Sequence, residues 1–127
     1  MQATCVNVIT EKATAAFARA NYPLLTELPS GPDPIMALLV EQGGLSCYWA
    51  DGYDIVAWLG LADMDDATWT ALRTELLATG YVQSDDPVAG TIQGERAGDA
   101  YPALVNRDGA TYYVGSSGML SSVVALQ

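Results

Sequence analysis

Two cysteines, Cys5 and Cys47, and a scatter of aspartates are the side chains with chemistry to offer in this chain. Cys47 sits in Gly43-Gly44-Leu45-Ser46-Cys47-Tyr48-Trp49-Ala50-Asp51-Gly52, which reads as a strand held between turn signals with the cysteine facing inward. Paired with Cys5, it would close a long loop, for which the chain-entropy picture gives about 4 kcal/mol. Unpaired, the two would be buried thiols behaving as small hydrophobes. Lipidation of Cys5 lacks a preceding apolar stretch, and no Cys-x-x-Cys redox spacing is present. The chain has no histidine, so neither a Ser–His nor a Cys–His nucleophile can be assembled within it. Two cysteines without histidine also make a poor zinc site. Asp63, Asp65 and Asp66, with Asp51 and Asp54 nearby, could attract calcium, but they lack the spacing of a calcium loop. The start of a helix accounts for the first three without an ion. Pairs of carboxylates could do acid/base work, yet a chain with 15 acids offers such pairs by chance. Gly90, Gly94 and Gly98 match neither a phosphate loop nor a dinucleotide fingerprint. The expectation is a protein that is not an enzyme, with no catalytic residues, no metal and no cofactor.

The elements that must position these groups belong to one domain. The 127 residues are half hydrophobic, enough for a core without covalent staples. Fifteen acids against five bases give a net charge of −10, and no lysine or arginine occurs between Arg19 and Arg73. Such a surface repels phosphate backbones and anionic lipids, which argues against direct nucleic-acid binding. No apolar run is long enough to span a bilayer, so no membrane insertion is expected. Residues 1–4 carry neither a charged nor an apolar signal-peptide region. The chain is therefore expected either to be cytosolic or to be an ectodomain cut from a longer precursor.

Apolar residues at helical spacing (Ile9, Ala13, Ala16, Phe17, Ala20) predict a helix over about 10–20, with Thr10 as N-cap. A proline-rich connector follows to Pro34. Residues 35–41, 45–50 and 53–61 then read as a three-strand meander turned by Gly43-Gly44 and Asp51-Gly52. Leu45, Cys47 and Trp49 share the expected core face of its middle strand. A second helix is expected over about 65–79, with Trp69, Leu72 and Leu76 as its stripe and Gly80 as its stop. Strands follow between 81 and 115, the last pair turned by Asp108-Gly109, and then a short closing helix capped by Ser116 or Ser117, or a terminal strand. The predicted class is α+β, an antiparallel sheet with its helices packed on one side.

The aromatic residues suit ordinary sheet packing. If the outer sheet face is open, Tyr48, Trp58 and Tyr112 are the choices for a binding surface. An early cysteine before an alanine-rich helix, followed by Gly43, Gly44, Cys47, Trp49, Asp51 and Gly52, resembles small secreted domains and lipoprotein ectodomains of high-GC Gram-positive bacteria. The single lysine fits such a genome. The resemblance implies an extracytoplasmic, disulfide-linked α+β domain and carries over no catalytic residue. The expected function is a non-enzymatic, secreted or cell-envelope binding domain for an unknown protein or small ligand. The alternative is a cytosolic acidic inhibitor or nucleic-acid mimic that binds a basic protein.

Overall fold

A computed structural model describes residues 3–25, 33–85, 88–96 and 100–127. Its helices begin where side chains can satisfy the free N–H groups of a first turn. Thr10 accepts from the Ala13 amide to start α1 (Glu11–Ala20), and Asn21, in the left-handed region, ends it. Asp33 accepts from the Met36 amide to start α2 (Pro34–Glu41), with Pro34 in the first turn where its missing N–H is harmless. Asp65 accepts from the Thr68 amide to start α3 (Asp66–Ala78). Two 3-10 turns, Ser117–Ser122 and Val124–Leu126, close the chain. Ser116 takes the expected cap position, although its side chain makes no capping bond.

The strands are β1 (Leu45–Ala50), β2 (Ile55–Asp63), β3 (Val82–Gln83), β4 (Ile92–Gln93), β5 (Ala103–Arg107) and β6 (Ala110–Val114). They form one antiparallel sheet in the order β1-β2-β6-β5-β4-β3. The class is α+β, as expected. Asp108 and Gly109 both have positive φ, the conformation a tight two-residue hairpin demands, and they turn β5 into β6. The outer edge of β1 is covered over Tyr48–Ala50 by the stretch after α1: Ala50 donates to the Pro23 carbonyl and Leu25 to that of Tyr48. That part of the edge is closed to pairing with other chains.

Two expectations are corrected. Residues 35–41 are not the first strand of a meander; they are α2. The run is apolar almost throughout, so it carries no strand alternation, and Asp33-Pro34 ahead of it is a helix start. Gly43-Gly44 ends this helix and does not turn a hairpin: the Gly43 amide bonds the Val40 carbonyl and the Gly44 amide that of Leu39. The helices also do not share one side of the sheet. One face packs Cys47, Trp49, Leu59, Val105, Tyr112 and Val114 against Val8, Ile9, α1 and the C-terminal turns. The other packs Tyr48, Ala62, Leu104 and Tyr113 against α2 and α3. A sheet buried on both faces explains why its strands read as continuous apolar runs.

On the α2–α3 face, three glycines let large side chains lie directly on the backbone. A Cβ at Gly60 would meet Leu39 and Met36 at 2.8 Å, one at Gly94 would meet the Tyr81 ring at 2.7 Å, and one at Gly115 would meet the Trp58 ring at 2.9 Å.

Candidate functional site

Cys5 and Cys47 are joined, with Cα atoms 5.7 Å apart. The bond ties the segment leading into α1 to the centre of β1, beneath Trp49 and Leu59. Backbone pairing secures the same segment from the other end of the chain: Thr10 donates to the Ser122 carbonyl, Val124 to that of Val8, and Ile9 bridges Val123. Phe17 then stacks on Trp49 at 4.9 Å. α1 is thus fixed against one end of the sheet.

Between α1, the start of β2 and the segment 115–122 lies a half-open groove of about 890 Å³. That volume falls within the roughly 300–1,000 Å³ of small-molecule sites. α1 lines it with Ala13, Ala16 and Phe17, and the C-terminal turns supply Ser116, Met119 and Ser122. The sheet contributes Ile55, Val56, Ala57 and Trp58. Ile55 and Val56 are adjacent yet both well exposed, at 38% and 40%. Exposure of both breaks the in–out alternation of a strand and puts apolar surface at the groove's mouth.

Asp51 and Asp54 close the hairpin end of the groove. The chain from 51 to 54 connects β1 to β2, with Gly52 at positive φ, so Tyr53 stands in the connection and not in a strand as expected. Asp51 Oδ1 accepts from the amides of Tyr53 and Asp54, at 2.9 and 2.8 Å. The Asp54 amide, then that of Tyr53, hold the Asp51 carboxyl below its ordinary range, so it is ionised at neutral pH.

The three aromatic residues expected to form a binding surface are not brought together. Tyr48 and Trp58 are cross-strand neighbours on the α2–α3 face, while Tyr112 lies on the opposite face. Tyr48 and Tyr112 are 7% and 5% exposed. Of the three, Trp58 alone lines the groove. Its indole Nε1 is buried without a hydrogen bond of ordinary geometry, although it lies close enough to Tyr113 to act on that phenol. Sequence reasoning did not reach Phe17, Ile55, Val56 or Met119 as groove residues. The one local signal is the apolar pair Ile55-Val56 that follows Asp51-Gly52-Tyr53-Asp54.

A polar cluster lies under α2. The Tyr113 hydroxyl donates to Asp33 Oδ2 at 2.9 Å, while Oδ1 of the same carboxylate caps α2. Burial, then the Asp33 charge and this hydrogen bond, push the Tyr113 phenol far above its usual range. Burial, with the Asp33 charge behind it, also raises Tyr48 and Tyr81. Both Asp33 oxygens are taken up within the fold, one by Tyr113 and one by the Met36 amide, which marks this pair as structural.

Among the described residues, no group of three or more metal-ligating side chains converges. Asp51 and Asp54 precede β2, whereas Asp63, Asp65 and Asp66 lie at or beyond its far end. A strand of that length separates the two sets by roughly 27 Å. Among the described residues, no helix is long and apolar enough to cross a membrane. No family model, curated protein or solved structure matches this chain.

Proposed function

We propose that this protein is a non-enzymatic, extracytoplasmic binding domain whose ligand sits in the groove between α1 and the start of β2. The observation that carries this reading is a half-open groove of mixed apolar and polar lining, whose α1 wall is fastened by the Cys5–Cys47 bond. A disulfide is compatible with an oxidising compartment, where such bonds form and persist. The resemblance to secreted and lipoprotein ectodomains of high-GC Gram-positive bacteria points the same way. Binding is favoured over catalysis because Asp51, held ionised by its own loop, is a poor proton donor for acid/base work. The rival reading, an acidic mimic of nucleic acid, wants its carboxylates gathered on one face. The separation of the two aspartate sets along β2 supports it less.

Thiol labelling of protein taken from its native host, followed by intact-mass measurement, tests the compartment. We expect no labelled cysteine before reduction and two after it. Two labelled cysteines without reductant would remove the extracytoplasmic assignment.

A further inference from the structure

We infer that the groove selects a small apolar organic cation, a molecule with an aromatic or branched aliphatic body and a protonated amine. This rests on the binding reading above and names its ligand class. The body is provided for by Phe17, Ile55, Val56 and Met119, which offer apolar surface from three separate segments of the chain. The charge is provided for at one end: Asp51 and Asp54 line the groove, and no lysine or arginine lines it among the described residues. The hydrogen bonds Asp51 accepts from its own loop fall on one oxygen, Oδ1, and fix the carboxylate in place. Phe17, an aromatic residue on the groove's α1 wall, is of the kind that attracts ammonium groups through the ring quadrupole. The volume, about 890 Å³ in a concave site, suits a small molecule. A protein partner would instead need a surface of roughly 800 Å² on each side. A carboxylate ligand would meet Asp51 and Asp54 as like charges and be rejected.

Three probes of one shape separate the terms: phenethylamine, phenethyl alcohol and phenylacetate, followed by the amide NMR shifts of Ala16, Ile55 and Met119 in the oxidised protein near neutral pH. We expect the amine to bind about tenfold more tightly than the alcohol, a difference within reach of two exposed carboxylates, and the acid to bind most weakly. The paired change Asp51→Asn with Asp54→Asn removes the preference for the amine while leaving the alcohol's affinity in place. Asparagine keeps the Oδ1 acceptor that shapes the loop. The paired change Asp63→Asn with Asp66→Asn alters the net charge equally at the far end of β2 and leaves the preference intact. Equal binding of amine and alcohol, or equal loss in both double variants, would overturn the cation assignment and leave the binding domain standing. Failure of all three probes to shift the groove amides would overturn both. A second copy of the chain held by the groove and released by phenethylamine, seen in sedimentation, would assign the site to a partner chain.

Discussion

Tyr113 shows how one hydroxyl connects helix, sheet and pH. It sits on β6, is almost wholly buried, and reaches the carboxylate that starts α2. Tyr113→Phe removes the donor and leaves Asp33 Oδ2 without that partner. Hydrogen bonds to charged groups contribute about 1.5–3 kcal/mol, so a loss near 2 kcal/mol is expected in urea unfolding. The same residue contributes to the response to alkaline pH. Tyr48, Tyr81, Tyr112 and Tyr113 all have raised pKa values, in each case chiefly through burial. The folded state therefore holds these protons more tightly than the unfolded chain does. The stability this represents is fully present below the unfolded value of about 10 and is lost as pH rises toward the folded values. Stability measured against pH should fall above that point, with a shallower fall in Tyr113→Phe.

At the scale of elements, the sharpest test concerns the dipeptide that ends α2. Gly43 has φ of +82° but open space where a Cβ would stand. Gly44 has an ordinary φ, and its added Cβ would press on the backbone carbonyls of Leu39 and Leu61, which cannot swing away. Gly43→Ala should therefore lose about 1 kcal/mol through backbone strain alone. Gly44→Ala should lose more, ~2–3 kcal/mol, as overpacking does in a core. Thermal melting of the two variants checks the order; in a symmetrical hairpin turn the two would not be expected to differ in this way. The contrast also shows what the sequence could disclose. α1 and α3 were legible because each is apolar on one side and capped by Thr10 or Asp65. The Asp108-Gly109 hairpin was legible because few residue pairs accept positive φ twice. α2 was not, since Met36, Leu38 and Leu39 leave no polar face, and two glycines fit a helix end as well as a turn. The disulfide was legible because the chain has only two cysteines. The groove was hidden: its walls come from residues 13–17, 51–58 and 115–122, and no local pattern links segments so far apart.

The whole molecule is two cores on one sheet, clamped at a corner. Because each face of the sheet carries its own buried core, the Cys5–Cys47 bond adds to a domain that burial already defines. Reduction should lower stability by about 2–4 kcal/mol, the usual effect of removing such a cross-link. Melting with and without reductant checks this, and we expect the reduced protein to remain cooperative at room temperature. The pairing of residues 8–10 with residues 122–124 bears on how the chain acquires its shape. Contacts so distant in sequence are slow to form, because a large loop must close before they contribute. Until residues 122–124 are in place, Val8 and Ile9 lack that cover. The groove wall that they help to seat is then among the final parts of the fold to close.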